Sequence, residues 1–367
     1  MKNKVIDLFA GCGGFSTGFQ QSGYKITKAV EIDKQIAETY SKNHQGTIVF
    51  NKDIGDIDNA TFFKQEEADV IIGGPPCQGF SMAGSRIRTH SFIDDPRNYL
   101  FRHYVNIVKL VKPKVFLFEN VKGIISMKDG KIFEEIISTL SKKENFEGIQ
   151  YFLNYKILNC TEFGIPEKRE RVIIIGSQKK VDLKEIESIA RQKILNNYPH
   201  FFDKVVIKDA LEGLPEPNSS GIFFGNKYLN HYQEYLKGTL GNIYNHIATK
   251  HTTLALHRMN QIKSGQNYTV LNEHIKSVHS GAYGRMNMNE PSVTITTRFD
   301  TPSGGRFIHP TKNRTITARE AARIQSFPDD FIFYGSKSSI CKQIGNAVPP
   351  KLAFYLANIV EEILNGR

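Results

Sequence analysis

The stretch KVIDLFAGCGGF, residues 4–15, decides the fold. A short β-branched run comes first, and glycines follow it almost directly, at Gly11, Gly13 and Gly14. This order predicts a strand that ends in a tight turn and opens into a helix, with backbone that a ligand can approach closely. We therefore expect the first strand of an α/β sheet here, with a binding site at its carboxyl end.

Strand and helix patterns continue to alternate as far as about residue 177. Apolar runs predict strands at 5–9, 26–32, 70–72, 115–118 and 172–175. Amphipathic stretches predict helices at 33–43, 99–110 and 133–140. Because the strands are apolar throughout rather than alternating, both faces of the sheet should be covered. The predicted fold class is therefore α/β, with a sheet rich in parallel strands.

Composition limits the class of protein. The chain has 367 residues, and 48 Lys and Arg against 37 Asp and Glu give a formal net charge of +11. The length suits two domains, and 40% hydrophobic residues exclude disordered and fibrous chains. The positive charge permits a polyanionic partner without requiring one. Composition does not identify the partner, so the motifs and candidate site residues have to do so.

The sequence also predicts the cellular compartment of the protein. No apolar run reaches the ~20 residues that span a bilayer, so we expect no membrane segment. The start of the chain enters a strand pattern without a signal-peptide core. Four cysteines in a chain of this length do not make a disulfide framework, which favours a reducing cytoplasm.

The composition changes after about residue 185, where turn residues, Asn, His and Tyr become frequent and periodicity weakens. We predict a first domain over 1–185 that is completed by 335–367, a loop-rich second domain over 186–310 and a connecting segment over 311–334. Thr317 and Glu320 predict a capping box at the start of a helix. An apolar helix over 349–364 should return to the first domain.

Two acids follow the second and third strands. Glu31 lies 20 residues after Gly11, where a carboxylate can accept hydrogen bonds from ribose hydroxyls, and Asp53 can receive an adenine amino group. No Gly-Lys-Ser/Thr sequence that would bind a phosphate is present. A nucleoside without phosphates fits best, and S-adenosylmethionine is the commonest such ligand. The alternative is a tight turn with a surface acid.

A cysteine follows two prolines in GGPPCQGFS, residues 73–81. The prolines fix two consecutive φ angles, so the thiol of Cys77 is held on stiff backbone just past a strand end. This placement favours a reactive thiol over a structural one. For Cys12, Cys160 and Cys341 the structural interpretation is preferred, because none has a catalytic pattern beside it.

A third acid, Glu119, ends the apolar strand VFLFENV at 115–121. A partly desolvated carboxyl group there can donate a proton or a hydrogen bond, although a solvent-facing acid is the ordinary alternative. Arg169 and Arg171 precede the next strand, and a period of two places them on the same side. A surface ladder of ion pairs with Glu167 and Glu170 is the alternative for these arginines.

Together these residues resemble the cytosine-5 DNA methyltransferase family. The similarity spans most of the chain and follows the family's order, from the glycine turn through GGPPCQGFS, ENV (119–121) and FGIPEKRER (163–171) to QIGNAVPP (343–350). The resemblance implies a Rossmann-like methyltransferase sheet that binds S-adenosylmethionine. It also implies that the second, smaller domain recognises the target DNA sequence.

The resemblance implies a catalytic set of Cys77, Glu119, Arg169 and Arg171. Cys77 would add to carbon 6 of cytosine, because carbon 5 alone is too weak a nucleophile to take a methyl group. Glu119 would contact N3 and the amino group, Arg171 would hold the base carbonyl, and Arg169 would support the site. The base must flip out of the duplex, and the loop from 78 to about 96 would close over it.

Matched positions also imply ligand contacts. The cofactor positions are Phe9, Gly11, Gly13, Glu31, Ile32, Asp53, Ile54, Pro76, Leu100, Asn346 and Ala347. The positions predicted to contact DNA are Gln78, Ser81, Arg285 and Thr294, the last in a Thr-Ile pair that resembles the family's Thr-Leu dipeptide. One departure is Glu167, where the family usually has Gln, and this acid could pair with Arg169 or Lys168.

Rival interpretations remain at this point. A zinc site of His246, His251 and His257 is disfavoured because the spacing is irregular and no acid or cysteine cluster accompanies it. A transfer-RNA cytosine-5 methyltransferase would share the same residues, and a non-catalytic DNA-binding relative would lack only the activity. We expect a monomer that uses double-stranded DNA and binds no metal, and the sequence leaves open whether a separate restriction endonuclease accompanies it.

Overall fold

The computed structural model describes residues 3–76, 99–239, 241–273, 275 and 280–366. Two compact units divide the chain, and each combines segments that are distant in sequence. The first unit consists of Met1–Leu158, Glu170–Asn197 and Ala353–Arg367. The second unit consists of Asn159–Arg169 and Tyr198–Leu352.

The centre of the first unit is a seven-stranded sheet. The described strands of the chain are β1 (Lys4–Leu8), β2 (Lys25–Val30), β3 (Ile48–Phe50), β4 (Val70–Gly73), β5 (Val115–Val121), β6 (Phe152–Asn159), β7 (Glu167–Lys168), β8 (Glu170–Ser177) and β9 (Ser292–Val293). The large sheet has the order β3-β2-β1-β4-β5-β8-β6, whereas β7 and β9 form a separate pair. This sheet confirms the predicted α/β fold class.

Strand direction follows the prediction on one side of the sheet only. Neighbours from β3 to β5 are all parallel, as their uniformly apolar runs indicate. β8 runs antiparallel to β5, which its equally apolar sequence did not reveal. β6 was not predicted, because its position at the sheet edge leaves side chains such as Tyr155 exposed and removes the apolar run.

Helices cover the first unit and make up most of the regular structure of the second. The described α-helices are α1 (Gly14–Gln21), α2 (Lys34–Asn43), α3 (Ile54–Ile57), α4 (Tyr99–Val111), α5 (Lys131–Ser141), α6 (Leu183–Asn197), α7 (Ile207–Leu211), α8 (His231–Leu236), α9 (Thr253–Gln261), α10 (Ala318–Ile324), α11 (Lys337–Asn346) and α12 (Pro350–Leu364). The predicted helices at 33–43, 99–110 and 133–140 are confirmed. Among the helices in the described ranges, none has the length and apolar character to cross a bilayer.

Aromatic packing fixes α4 on β5. The ring of Tyr104 meets Phe116 and Phe118 edge-on, with centroids 6.2 and 5.4 Å away, and all three side chains are buried. The Tyr104 hydroxyl donates to the Leu117 carbonyl at 2.9 Å, so its polar end is satisfied inside the core. This packing sets the position of β5, whose last residues include Glu119.

A buried polar chain lies beside the turn between β1 and α1. The Ser16 hydroxyl donates to the Asp7 carboxylate at 2.6 Å, and the Tyr40 hydroxyl lies 2.6 Å from the same Ser16 oxygen. Since Ser16 donates to Asp7, Tyr40 donates to Ser16. Burial raises the pKa of Asp7 to about 7, the Ser16 hydrogen bond opposes this, and the negative charge of Glu31 adds to it.

The second unit is loop-rich, as predicted. β7 and β9 pair in parallel, and the remaining regular structure in its described part consists of short helices. Thr317 and Glu320 form the predicted capping box at α10: each side chain accepts the other residue's main-chain N–H. The two units depart from the predicted boundaries, because α6 extends the first to residue 197 and 159–169 and α11 belong to the second.

The helix at the carboxyl end returns to the first unit, as predicted. Residues of α12 from Ala353 onward belong to that unit. The Tyr24 hydroxyl donates to the Ala357 carbonyl at 3.1 Å, and the Asn358 amide donates to the Ser22 hydroxyl at 3.2 Å. These bonds attach α12 to the segment that links α1 to β2.

Replacing Asp7 with Asn should change how stability depends on pH. The folded state keeps the Asp7 proton up to about pH 7, whereas the unfolded chain releases it near 3.8. Wild-type stability should therefore fall as pH rises between these values, by about 1.4 kcal/mol for each unit of pKa shift. Asp7→Asn lacks this dependence, so its unfolding free energy relative to wild type should rise across the same window.

Urea unfolding of both proteins at several pH values measures this difference. The exposed Asp56, changed to Asn, is the matched control and should give curves parallel to wild type. Parallel curves for Asp7→Asn as well would show that the Asp7 carboxyl is not held protonated in the fold.

Candidate active site

The turn after β1 uses left-handed backbone at three positions. Phe9, Gly11 and Gly13 have φ angles of 57, 55 and 96°. Gly13 is the N-cap of α1, and a Cβ atom there would lie 2.2 Å from the His44 ring, so only glycine fits. The predicted glycine turn is therefore built around a packed His44, which the sequence analysis did not single out.

Glu31 is held against this turn. One carboxylate oxygen accepts the Gly11 N–H at 3.0 Å, and the other accepts the Asp33 N–H at 2.8 Å. These two hydrogen bonds fix the carboxylate at the turn, with one oxygen toward each main-chain donor. The structure thus brings two predicted ligand-binding residues, Gly11 and Glu31, into direct contact.

Ile32 stands beside Glu31 as an exposed apolar side chain. It is 66% exposed, which is unusual for isoleucine and leaves a flat apolar surface at the sheet edge. The Asn51 amide donates to the main-chain carbonyls of Glu31 and Ile32, both at 2.9 Å, and so fixes the two residues. Sequence reasoning missed Asn51, since an Asn after a short strand reads as an ordinary turn residue.

The other predicted cofactor positions of the first unit differ in exposure. Asp53 is exposed and caps α3 by accepting the Gly55 N–H at 2.9 Å. Phe9 and Leu100 are half-buried against the core, and Pro76 is exposed. The Ile54 side chain is buried in the core, so the prediction that it contacts a ligand is corrected: only its main chain could do so.

The end of β4 is packed tightly against the end of β5. A Cβ atom on Gly74 would lie 2.6 Å from a Glu119 carboxylate oxygen, so the absence of a side chain at 74 makes room for this acid. The buried Asn120 amide donates to the Pro75 carbonyl at 3.0 Å, and its oxygen accepts the Val121 N–H at 2.9 Å. The sequence indicated Asn120 only as part of the ENV motif at 119–121. In the structure its amide fixes the segment that follows β4.

Glu119 forms an ion pair with Arg171 across β5 and β8. The Glu119 oxygen lies 2.8 Å from Arg171 Nε, and both side chains are nearly nine-tenths buried. The strand register places Arg171 opposite Val121, so Glu119 is its diagonal neighbour on the same face. Arg171 also donates to the Glu170 carbonyl at 2.8 Å. Two members of the predicted catalytic set are thus brought together.

Arg169 has different partners and belongs to the second unit. Its guanidinium is fully buried and donates to the carbonyls of Gly345 and Ala347 at 2.9 and 2.8 Å. Glu167 lies 3.5 Å from Arg169 and accepts the Ile295 N–H at 2.6 Å, so the acid pairs with Arg169 as anticipated. These main-chain partners are compatible with the supporting role that the resemblance implies for Arg169, and that role stays a prediction.

The expectation that Arg169 and Arg171 share one side assumed a single continuous strand. The structure ends β7 at Lys168 and begins β8 at Glu170, so the period of two is interrupted at Arg169. Asn346, in the second unit, is exposed, whereas Ala347 is buried and its carbonyl is bound by Arg169.

The predicted contact of Arg285 with DNA is wrong. The residue is buried, and each of its five N–H donors has an acceptor within the second unit. The acceptors are the carbonyls of Ile262, His309, Lys312 and Met259 and the side chain of Asn313, at 2.6–2.8 Å. No donor remains for a base or a phosphate, so Arg285 is an internal cross-link.

The predicted DNA contact of Thr294 is compatible with its position in the structure. The Thr294 hydroxyl donates to the Lys168 carbonyl at 2.8 Å, and the residue stays half-exposed, so its DNA contact remains a prediction. Cys77, Gln78 and Ser81, with the closing loop at 78–96, lie outside the described residues.

The remaining cysteines are structural, as predicted. Cys12, Cys160 and Cys341 are all buried. Burial raises the pKa of Cys12 and of Cys341 to about 12, which keeps both thiols protonated and poorly nucleophilic at neutral pH.

Among the three histidines of the disfavoured zinc site, His246 is buried. Both ring nitrogens of His246 have polar partners, at 2.9 Å from the Thr317 hydroxyl and 2.8 Å from the Pro215 carbonyl. In the part of the chain that the structure describes, no group of three or more His, Cys, Asp or Glu side chains could hold a metal ion.

Comparison with known proteins agrees with this geometry. The family model described as C-5 cytosine-specific DNA methylase matches residues 3–362. The chain is 37% identical to the Type II methyltransferase M.DdeI of Desulfomicrobium norvegicum, over 96% of this chain and 87% of that protein. It is 35% identical to the Type II methyltransferase M1.HphI of Haemophilus parahaemolyticus, over 98% and 87%.

Solved structures show the same fold. A DNA modification methyltransferase encoded within an E. coli prophage superposes with a TM-score of 0.76 at 28% identity, covering 99% of this chain and 100% of that one. The Schizosaccharomyces pombe Dnmt2 methyltransferase, at 17% identity, shares the fold with a TM-score of 0.61 over 99% and 100%. With a family model that spans nearly the whole sequence, the chain belongs to the C-5 cytosine-specific DNA methylase family.

Proposed function

We propose that this protein transfers a methyl group from S-adenosylmethionine to carbon 5 of a cytosine in a specific duplex DNA sequence, through a covalent bond between Cys77 and carbon 6. One observation carries the proposal. Arg171 pairs with the Glu119 carboxylate, and this carboxylate occupies the space beside Gly74, which lies three residues before Cys77 in the sequence. Because Cys77 follows Gly74 closely in the sequence, an acid at 119 and a thiol at 77 suit covalent catalysis on a pyrimidine ring.

The first unit has side chains that fit the nucleoside part of S-adenosylmethionine. The Glu31 carboxylate, held at the glycine turn, is an acceptor of the kind that ribose hydroxyls use, and the exposed Ile32 suits the face of an adenine ring. The exposed Asp53 can accept from an adenine amino group. When bound, the cofactor supplies an electrophilic methyl group. Asn346 stays a cofactor position that only the family resemblance implies.

Cys77 is the proposed nucleophile. Its thiolate donates an electron pair to carbon 6, and the ring electrons move to carbon 5, which becomes nucleophilic enough to accept a methyl group. The three other cysteines are buried, and none of them suits attack on a substrate. After methylation, loss of the proton on carbon 5 returns electrons to the ring and expels the Cys77 thiolate.

Glu119 is proposed to act at N3 and the exocyclic amino group of the base. A proton or hydrogen bond at N3 stabilises the electron density that the thiol addition pushes into the ring. Arg171 fixes Glu119 through its Nε and is proposed to hold the base carbonyl with the rest of its guanidinium. Both groups need an unstacked base, which implies flipping at a cost of a few kcal/mol.

The names of the relatives support a role in restriction and modification. Both are called Type II methyltransferases. We propose that this protein protects a target sequence from a separate restriction endonuclease and acts as a monomer in the cytoplasm. Residues of the second unit, including Thr294, are proposed to select the sequence.

Purified protein should produce 5-methylcytosine in duplex DNA. The assay incubates genomic DNA lacking cytosine methylation with labelled S-adenosylmethionine and identifies the modified nucleoside and its position. Cys77→Ser should abolish turnover, because a serine hydroxyl is a far weaker nucleophile, while binding of S-adenosylmethionine persists. Methylation of transfer RNA alone would support the related RNA enzyme, and no transfer to either substrate would support a non-catalytic relative.

Gly74→Ala should reduce the methylation rate without weakening cofactor binding. The new methyl group would meet the Glu119 carboxylate at 2.6 Å and displace it. Misplacement of a reacting group by 1 Å can cost about 10²-fold in rate, so a loss of this order is expected in single-turnover measurements. Gly123→Ala is the matched control, since a Cβ there meets nothing within 4 Å. A rate close to wild type for Gly74→Ala would contradict the role of Glu119.

A further inference from the structure

Helix α2 is connected at both of its ends to the glycine turn that follows β1. Before the helix, the Glu31 carboxylate accepts the Gly11 N–H at 3.0 Å and the N–H of Asp33, the N-cap of α2, at 2.8 Å. After the helix, the C-cap residue His44 lies against Gly13, where a Cβ atom would be 2.2 Å from the ring. One helix therefore connects the acid that binds Gly11 to the ring that packs on Gly13.

The His44 ring is buried, and both of its nitrogens have polar partners. Nδ1 lies 3.0 Å from the Tyr40 carbonyl oxygen, and Nε2 lies 3.2 Å from the Thr17 hydroxyl. The same hydroxyl lies 2.8 Å from the Gly13 carbonyl oxygen, so it connects the ring to the turn. Burial lowers the pKa of His44 to about 4, which leaves the ring neutral at neutral pH. The ring therefore acts on the turn through packing and hydrogen bonds, and not through charge.

Tyr40 supports the face of the His44 ring. The two rings are stacked, with centroids 4.3 Å apart and an angle of 27° between their planes. Tyr40 is itself fully buried, and its hydroxyl is bound to Ser16 and through Ser16 to Asp7 of β1. Because protein interiors are close-packed, filled space around a ring resists its displacement. The position of His44 is therefore set by the core of the first unit.

We propose that His44 is a positioning residue for the cofactor site, and that its ring holds the glycine turn in the conformation that binds S-adenosylmethionine. The inference rests on the proposed function, since it takes Gly11 and Glu31 as part of the site for the nucleoside. All the residues that carry it belong to the first unit. It adds to that site a side chain that acts through Gly13.

Glycine makes the turn dependent on such a support. Gly13 has a φ angle of 96°, and glycine by itself populates many other backbone conformations about as readily. The His44 ring and the Thr17 hydroxyl restrict this freedom from outside the turn. A turn that adopts the binding conformation for only about a tenth of the time would bind its ligand about tenfold more weakly. Loss of the ring should therefore lower the affinity for the cofactor.

Calorimetric titration with S-adenosylhomocysteine tests the proposal in the full-length protein. Wild type is compared with His44→Ala, which removes the ring, and with His44→Gln, which keeps an amide that can bond the Thr17 hydroxyl. Leu140→Ala, at a buried position of α5, is the matched control for lost core packing. His44→Ala should bind about tenfold more weakly than wild type, and His44→Gln about threefold more weakly. Leu140→Ala should bind like wild type, and urea unfolding establishes that each variant is folded during the titration.

Equal binding by wild type and His44→Ala would overturn the proposal. An equal loss in His44→Ala and Leu140→Ala would also overturn it, because the loss would then follow from weaker packing anywhere in the core. If His44→Ala does not fold, His44→Gln decides, and wild-type affinity in that variant would overturn the proposal. Failure of wild type to bind would overturn both this proposal and the proposed function.

Amide hydrogen exchange without ligand separates the conformation of the turn from the binding of the cofactor. The Gly11 N–H donates to the Glu31 carboxylate at 3.0 Å, and the Gly13 N–H donates to a carbonyl within the turn at 3.0 Å, so both should be protected. Peptides that cover residues 9–17 should exchange faster in His44→Ala than in wild type, whereas peptides from α5 should exchange alike. Unchanged exchange at 9–17 would overturn the proposal, whatever the binding result.

Discussion

The close approach of β4 and β5 at their carboxyl ends is the constraint on which the site depends. A side chain at residue 74 would meet the Glu119 carboxylate, which would have to shift to make room for it. Asn120 binds the Pro75 carbonyl, so the chain leaves β4 from a fixed point. Arg171 then holds the carboxylate from β8. The acid therefore lies between the residue after β4 and Arg171 of β8, and neither contact requires a ligand to form.

In the second unit, buried arginine side chains supply hydrogen bonds to main-chain carbonyls. In the first unit, neighbouring strands of the sheet supply them. Short helices and loops leave many main-chain carbonyls without the regular partners that strands provide. Arg169, Arg285 and Arg319 are buried, and each donates to two or more of these carbonyls. Removing such a group would leave several buried acceptors unsatisfied at about 1–3 kcal/mol each. Part of the positive charge is therefore structural and not available to DNA.

The elements nearest the nucleoside site were the easiest to predict from the sequence. A strand, glycines and a later acid define the positions of Gly11 and Glu31, because parallel strands bring their carboxyl ends to one edge. Glu119 was predicted for the same reason, as an acid that ends an apolar strand. Arg285 could not be interpreted correctly, since an arginine that binds carbonyls and one that binds phosphates look alike in sequence.

Two asparagines show that residues which position other residues are also hard to predict from the sequence. Asn51 and Asn120 act by binding main-chain carbonyls of neighbouring segments, at Glu31, Ile32 and Pro75. Such contacts depend on three-dimensional proximity and leave no periodic or spacing signal. The direction of β8 was missed for a related reason, because an apolar run indicates burial and does not indicate strand direction. The sequence therefore indicated the proposed reacting groups more readily than the residues that position them.

The central claim is that the Cys77 sulfur bonds to the base while Glu119 is held beside it. Duplex DNA that contains 5-fluorocytosine at the mapped target tests this directly, because fluorine on carbon 5 cannot be lost as a proton and the final elimination is blocked. With S-adenosylmethionine present, the account predicts a protein–DNA complex that survives denaturation, with the modified peptide containing Cys77. Methylation of normal DNA without any such complex, or a complex at another residue, would contradict it.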